Sequence, residues 1–207
     1  MRTQASNYVG SSFMGVFLGI IFSIICVQLS WGQELPEGQK RWSSDSKLTV
    51  DDFKIKISDI NNEIAYSQFM ITHAIGGLDF MKKNMNQKVE NMFLGNASYI
   101  DTTKTEDLQK QIDFQQMQFD LSEIQARSFR KRALKDKGQL TKGFDIINKI
   151  NNEIMAELTE MRMTLMRETD SGRNEEKLAE WKELIATKLK ELDEFRFENK
   201  EKIKLQK

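Results

Sequence analysis

Residues 113–131, DFQQMQFDLSEIQARSFRK, have the residue spacing of a metalloprotease helix, but the stretch contains no histidine. In such helices two zinc ligands lie four residues apart on one face, and a general base directly follows the first ligand. Here a pair four residues apart, a polar residue after its first member and an acidic continuation are present without imidazoles. The question is what chemistry the remaining side chains can do.

Asp120, Glu123 and Arg127 are the ionisable residues that remain close together in this stretch. Two carboxylates in a cleft can act as general acid and base, so one interpretation is a hydrolase that uses Asp120 and Glu123 with a hard cation. The other interpretation is structural, because Glu123 and Arg127 are one helical turn apart and can form an intrahelical salt bridge. The spacing favours the salt bridge.

Imidazole and thiolate ligands are scarce in the chain, which has one histidine, His73, and one cysteine, Cys26. A catalytic zinc site needs about three protein ligands and a bound water. His73 follows a predicted strand and has no companion histidine, so we expect it to be structural or exposed. We therefore predict neither a metal nor a cofactor.

The first 32 residues predict an export signal. Phe13–Leu29 carries no charge, and the Ser30-Trp31-Gly32 sequence places small residues at positions −3 and −1 of a cleavage site before Gln33. An uncleaved membrane anchor is the alternative, since the apolar segment approaches the lower limit of about 17 residues for a span. We expect a periplasmic or extracellular protein, anchored to the membrane only if this segment is retained.

The charge balance argues against nucleic acid as a partner. Lysine plus arginine and aspartate plus glutamate both number 31, so the formal net charge is zero. A broad basic surface, which attracts phosphate backbones without further specificity, is therefore not expected. An unknown protein or peptide remains the predicted partner.

Composition divides the chain into four parts. After the signal, residues 33–41 contain the one proline, Pro36, and predict a linker. Residues 42–195 predict a single α+β domain, and residues 196–207 predict a charged helical tail. Within the domain, Ile64–Thr72 and Val89–Leu94 are rich in β-forming residues and predict a small antiparallel sheet in its N-terminal half.

Three long helices are predicted after the sheet. Thr103 and Glu106 have the spacing of a capping box, which starts a helix that ends at Gly138. A second helix covers about residues 144–169, and Asn174 is a good N-cap for the third. The residues that we expect on the buried faces are Phe114, Met117, Leu121 and Ile124 of the first helix, Ile147, Ile150, Ile154, Leu158, Met161 and Leu165 of the second, and Leu178, Trp181, Ile185, Leu189, Leu192 and Phe195 of the third.

The methionines of the second helix have two interpretations. Methionine repacks easily, so these side chains could form an adaptable peptide-binding surface. At helical spacing they are more often part of the core, and we favour that interpretation. The residues concerned are Met155, Met161, Met163 and Met166.

Two parts of the sequence resemble a bacterial secreted family, domain of unknown function 922, whose members are predicted zinc-dependent peptidases. Trp42, Leu48 and the Asp52-Phe53 pair are similar to its opening segment. The family helix reads His-Glu-Gln-x-His-Phe-Asp followed by Glu-x-x-Ala-Arg, and its later half is similar to residues 119–127 here. Residues 168–172 and Trp181 resemble a downstream family segment. The resemblance extends from Trp42 to about Leu192 and implies a zincin-like scaffold.

The resemblance also implies that the metal ligands have been lost. Placing Phe119-Asp120 on the Phe-Asp of the family puts Phe114 and Gln118 at the two histidines, Gln115 at the glutamate, and Ser171 at a downstream histidine. Phenylalanine has no lone pair and a neutral amide is a poor zinc ligand. Gln115 cannot take a proton from metal-bound water. These four positions are therefore degenerate, and no catalytic residue is predicted.

The leading hypothesis is an exported, catalytically inactive peptidase relative, a pseudoenzyme that binds a peptide or protein in the inherited cleft. Because a fold does not specify a function, the partner is not identified by this resemblance. The alternatives are the carboxylate-based hydrolase and a membrane-anchored protein that pairs with a partner through its C-terminal helix.

We predict that purified protein comprising residues 33–207, incubated with zinc and then desalted, retains well under one equivalent of the metal, because the donor atoms are missing. Elemental analysis measures the bound zinc. Stoichiometric zinc together with peptide cleavage would contradict the hypothesis.

Overall fold

The computed structural model describes residues 35–58 and 64–205. The chain divides into two units, Met1–Pro36 and Glu37–Lys207, and nearly all described residues belong to the second. The predicted signal or anchor, residues 1–32, lies outside the described part. Within that part, no helix is both long and apolar enough to cross a membrane.

The second unit is an α+β domain with two small sheets and three helices. Its described strands are β1 (Gln39–Arg41), β2 (Ile55–Ile57), β3 (Ala65–Tyr66), β4 (Phe69–His73), β5 (Val89–Leu94) and β6 (Tyr99–Asp101). Its described helices are α1 (Leu108–Asp136), α2 (Asp145–Glu168) and α3 (Glu175–Glu191). The predicted fold class is confirmed at this level.

The prediction of one antiparallel sheet is wrong. The strands form two three-stranded sheets, in the orders β1-β5-β4 and β2-β6-β3. The first sheet is antiparallel throughout, with Arg41 opposite Met92 and His73 opposite Val89. In the second sheet β2 is parallel to β6, with Ile55 opposite Tyr99 and Ile57 opposite Asp101.

The predicted strand Ile64–Thr72 is split between the two sheets. β3 pairs with β6, whereas β4 pairs with β5, and the change occurs at Ser67-Gln68. The backbone N–H of Gln68 donates to the Ser98 hydroxyl at 2.9 Å, and its carbonyl accepts from the N–H of Leu94. Alternation in the sequence could not locate this break, since it depends on partners about 30 residues away.

Residues 39–41 of the predicted linker are a strand, so the linker prediction is wrong there. β1 pairs with β5, and its polar side chains are held by charge. Arg41 forms a salt bridge with Glu90 at 2.6 Å, and Lys40 forms one with Asp52 at 2.8 Å. Its Gln-Lys-Arg sequence lacks the apolar alternation by which a half-buried strand is recognised.

Helix α1 starts at Leu108, five residues after Thr103, the predicted first residue of the capping box. The Thr103 hydroxyl donates to Asp101 at 2.6 Å, and Asp107 precedes the helix without a side-chain cap. The helix ends at Asp136, close to the predicted stop. A 3-10 turn, Lys137–Lys142, follows it and contains Gly138.

Helix α1 is buried on both sides. Its predicted apolar stripe packs on α2 and α3, while Phe119, on the opposite face, stacks on Phe69 of β4 at 5.1 Å. A second apolar cluster therefore lies between α1 and the sheets, and it includes Trp42, Leu48 and Phe53. The sequence predicted only one buried face, because polar side chains occupy much of the other.

The polar side chains on that face are satisfied by specific partners. The backbone N–H of Leu48 donates to the Gln116 carbonyl oxygen at 2.8 Å, and Ser122 donates to Asn91 at 2.7 Å. Trp42 donates its indole N–H to Asp120 at 2.7 Å. Removing a polar group from water costs free energy, and a hydrogen-bond partner inside the protein offsets that cost.

Helix α2 and the start of α3 agree with the predictions, whereas α3 ends at Glu191, before Leu192 and Phe195 of its predicted stripe. α2 covers residues 145–168, and the Asn174 side chain caps α3 by accepting from the N–H of Lys177. The predicted inner residues of α3 are all buried or packed against the core. The apolar stripe of α3 therefore packs against the core of the domain.

The predicted helical tail is wrong for residues 196–205, which contain no helix after the short 3-10 turn Asp193–Phe195. The tail instead crosses the loop before β5. Asn86 donates its side-chain amide to the carbonyl of Asn199 at 3.0 Å, and the N–H of Ile203 donates to the carbonyl of Lys83. Ile203 is buried, so hydrophobic burial fixes a segment whose charge suggested a solvated helix.

A buried ion cluster joins α1 to the rest of the domain. Glu123 accepts from Arg127 at 3.1 Å and from Arg130 at 2.8 Å, and all three side chains are at most 4% exposed. Arg130 also donates to the carbonyls of Val89 and Phe195. The expected Glu123–Arg127 salt bridge is therefore present, and it belongs to a larger cluster that connects α1, β5 and the end of the third helical region.

We predict that Glu123→Gln lowers the free energy of unfolding by about 3 kcal/mol, because two buried guanidinium groups lose their counterion. Urea unfolding measures the change. The matched control is Glu157→Gln, which breaks a half-exposed salt bridge with Arg132 and should cost at most about 1 kcal/mol. Equal effects of the two substitutions would contradict the structural role of Glu123.

Candidate functional site

A cavity lies between the N-terminal half of α1, strand β3, and the connection from α2 to α3. Its volume is about 700 Å³. All four degenerate positions line it: Phe114, Gln115, Gln118 and Ser171. The structure thus brings together positions that are 57 residues apart in the sequence (from Phe114 to Ser171).

Helical spacing and a tight turn account for this convergence. Residues 114, 115 and 118 follow residue 111 by three, four and seven positions, and this spacing places all four on one face of α1. The turn after α2 then carries Ser171 to the same face. Because α1 and α2 pack along their lengths, the end of α2 lies near the start of α1.

The turn after α2 is a Schellman motif. The N–H of Ser171 donates to the carbonyl of Met166 at 2.8 Å, and that of Asp170 donates to Arg167 at 3.5 Å. Asp170, Ser171 and Gly172 have φ angles of 49°, 54° and 92°. Three consecutive residues in the left-handed region form a sharp turn whose conformation is set by its hydrogen bonds.

The Phe114 ring forms the floor of this turn. A Cβ atom on Gly172 would lie 2.8 Å from Cγ of Phe114, closer than carbon atoms pack. Phe114 is 3% exposed and belongs to the core between the helices. The aromatic ring at a degenerate position is thus core on one side and cavity wall on the other.

A chain of amide hydrogen bonds crosses the cavity wall. Gln115 donates its amide N–H to the carbonyl of Ala65 at 3.2 Å, and Gln118 donates to the Gln115 oxygen at 3.2 Å. The Gln118 oxygen accepts from Arg162 through Nε at 3.1 Å and Nη2 at 2.9 Å. The two glutamines therefore link β3, α1 and α2.

Arg162 is the cavity residue that the sequence analysis missed. It lies on α2 between the buried residues Leu158 and Leu165. This position beside the buried face is the sequence feature that could have indicated Arg162 as a site residue. Its Cζ atom lies 5.3 Å from the ring centroid of Phe69, and no described carboxylate forms a salt bridge with it. Partial burial lowers the pKa of Arg162, because desolvation disfavours the charged form, while nearby Tyr66 acts in the opposite direction.

The other cations of the cavity are paired. Lys110 forms a salt bridge with Glu175 at 2.8 Å, and Arg173 forms one with Asp170 at 3.0 Å. Each hydrogen-bonded pair raises the pKa of its cation and lowers the pKa of its carboxyl group. These pairs are exposed and lie at the cavity rim.

The residues present do not fit a zinc ion. The Phe114 ring has no donor atom, and the Gln118 oxygen is already bound to the Arg162 guanidinium. A cation at that oxygen would repel a divalent ion in the same place. Within the described part of the chain, no group of three histidine, cysteine, aspartate or glutamate residues could hold a metal.

The structure does not place Asp120 and Glu123 in the cavity. Asp120 accepts hydrogen bonds from Trp42 and from Gln116, each at 2.7 Å, and Lys47 lies 3.7 Å away. Glu123 is fully engaged by two arginines. Neither carboxylate lines the cavity. Both are instead held by hydrogen bonds and ion pairs within the fold.

The remaining candidates are dispersed. His73 ends β4 and its ring lies 5.3 Å from Phe129, with its pKa lowered by partial burial. Met155, Met163 and Met166 are exposed and only Met166 lines the cavity, so the prediction that the α2 methionines are core is wrong for these three. Met161 packs against the core as predicted.

No family model, no curated protein and no solved structure matches this chain. Its function is therefore argued from the geometry and chemistry of the cavity.

We predict that Gly172→Ala destabilises the protein by roughly 1 to 3 kcal/mol, because the added methyl group clashes with Phe114 at a left-handed backbone position. Thermal unfolding with a known enthalpy measures the change. Gly138→Ala is the control: no atom lies within 4 Å of its added Cβ, so stability should change by less than about 1 kcal/mol. A neutral Gly172→Ala would contradict the described turn.

Proposed function

We propose that this protein is an exported, non-catalytic member of a peptidase-like fold that binds a peptide segment in the cavity beside α1. The observation that carries the proposal is the convergence of Phe114, Gln115, Gln118 and Ser171 on one cavity. Their side chains can contact a ligand but lack a nucleophile, a general base and metal donors.

The cavity has the size and chemistry of a binding site. Its volume of about 700 Å³ is comparable with that of ligand pockets, which range from about 300 to 1,000 Å³. Phe114 and Met166 supply apolar wall, and the glutamine amides supply oriented polar groups. The amide chain holds these groups in place before a ligand arrives, which reduces the entropy lost on binding.

A peptide suits the cavity because strand β3 lines it. β3 is the outer strand in the order β2-β6-β3, and Ala65 and Tyr66 contribute to the cavity wall. An extended peptide can add to the edge of a sheet through main-chain hydrogen bonds. The exposed side chains of Met163 and Met166 provide an adaptable apolar surface nearby.

Filling the cavity tests the proposal. Gln111 lies on the cavity face of α1, so Gln111→Trp places a large ring where the peptide would bind. Gln109→Trp, two residues earlier on the same helix, adds the same ring outside the cavity. Each immobilised protein is exposed to a random hexapeptide library in solution. We predict that the unmodified protein and Gln109→Trp retain the same peptides, and that Gln111→Trp retains at most about one tenth of the amount.

Sequencing of the retained peptides measures the effect, and circular dichroism checks that both variants are folded. Equal retention by Gln111→Trp and Gln109→Trp would place the binding surface elsewhere. Release of cleaved fragments from the library by the unmodified protein would contradict the non-catalytic part of the proposal.

A further inference from the structure

Arg162 lines the cavity, and its guanidinium has an unused hydrogen-bonding edge formed by Nη1 and the second N–H of Nη2. Nε and Nη2 donate to the Gln118 oxygen, whereas Nη1 donates to no atom of residues 35–58 or 64–205. We propose that this edge binds a carboxylate of the peptide ligand. The inference rests on the proposed function and specifies the chemical group that the cavity recognises.

An unpaired, half-buried charge is the first argument. Removing a guanidinium from water is unfavourable, and proteins usually offset this with a carboxylate or with several carbonyl groups. Arg162 has one amide oxygen and the face of Phe69. The buried arginines of the same domain, Arg127 and Arg130, share Glu123 and also donate to backbone carbonyls. Arg162 therefore lacks the compensation that the structure provides elsewhere.

The charge distribution of the cavity is the second argument. Lys110 and Arg173 are neutralised by Glu175 and Asp170 at the rim, so Arg162 is left as the cation without an anionic partner among the described lining residues. Asp107, which also lines the cavity, acts on Lys110 and not on Arg162, so a ligand carboxylate can pair with the Arg162 guanidinium. Among the described residues no carboxylate is bonded to Arg162, so the ligand has no carboxylate to displace.

The geometry favours a carboxylate over a phosphate group. The planar edge of a guanidinium matches the two oxygens of a carboxylate in a bidentate hydrogen-bonded pair. A phosphate monoester carries up to two charges and is usually held by several donors or cations. Here a single unpaired cation is present, since Lys110 and Arg173 are already occupied. A peptide can supply the carboxylate from its C-terminus or from an aspartate or glutamate side chain.

Acetate is the minimal probe for this site. Titration of the protein with sodium acetate, followed by the ¹H–¹⁵N signals of the arginine Nε groups, should shift the Arg162 signal with saturation. Sodium chloride at the same ionic strength should not shift it. The Arg132 signal serves as the internal control, because Arg132 already pairs with Glu153 and Glu157. An Arg162 signal that moves no more than that of Arg132 overturns the inference.

Inorganic phosphate tests the class of anion. Phosphate should compete with acetate no more strongly than a second monovalent carboxylate such as formate. Phosphate that binds more than about tenfold more tightly than acetate would overturn the assignment to carboxylates.

Two peptide libraries test the source of the carboxylate. N-acetylated random hexapeptides are prepared once with free C-termini and once as C-terminal amides. A preference of about tenfold for the free acids identifies the C-terminus, and enrichment of aspartate or glutamate among the retained amides identifies a side chain. Either preference should disappear in Arg162→Met and persist in Arg132→Met, while Arg162→Lys, which keeps the charge but not the planar edge, should retain part of it.

The remaining outcomes separate this inference from the proposed function. Retention of peptides without dependence on carboxylates or on Arg162 overturns the inference and leaves peptide binding intact. An acetate-induced shift of the Arg162 signal without retention of either library supports the anion site and overturns the peptide function.

Discussion

The cluster of Glu123 with Arg127 and Arg130 is the interaction on which the rest of the domain depends. Both guanidinium groups bond to the Glu123 carboxylate, Asp193 lies 3.8 Å from Arg127, and the arginines also donate to the backbone carbonyls of Val89, Leu189 and Phe195. Backbone carbonyl oxygens accept these bonds, and that of Leu189 lies in the last turn of α3, where the helix dipole adds partial negative charge. The cluster thereby holds the sheets and the C-terminal helix against α1 in one register.

That register also determines the cavity. α1 is buried between two apolar clusters, so its rotation about its axis is specified from both sides. With the axis held, the face bearing Gln115 and Gln118 is directed toward β3 and α2. The amide chain then ends at Arg162, whose guanidinium occupies the position at Gln118 that a metal ion would require. A fixed organic cation is compatible with anion binding but not with Lewis-acid chemistry at the same atom.

Local sequence signals predicted the elements that local physics controls. The α2 periodicity located that helix to within about two residues at each end, and the Asn174 cap located the start of α3, since helix formation depends on neighbours three and four positions away. The apolar run Val89–Leu94 likewise located β5. Errors arose where distant partners decide the outcome. β1 is a polar strand held by Glu90 and Asp52, and the C-terminal segment is fixed by Asn86 and by burial of Ile203.

By itself the sequence determined the chemical inventory: a single histidine, a single cysteine, and amide, aromatic and hydroxyl side chains at four positions of one resemblance. No arrangement in space can supply donor atoms that the chain does not encode. Only the tertiary structure decided which residues meet. It engaged Asp120 and Glu123 in structural hydrogen bonds. It also placed Arg162 in the cavity with no described carboxylate bonded to its guanidinium. Such pairings depend on packing between helices and sheets distant in the sequence, and residue spacing does not contain that information.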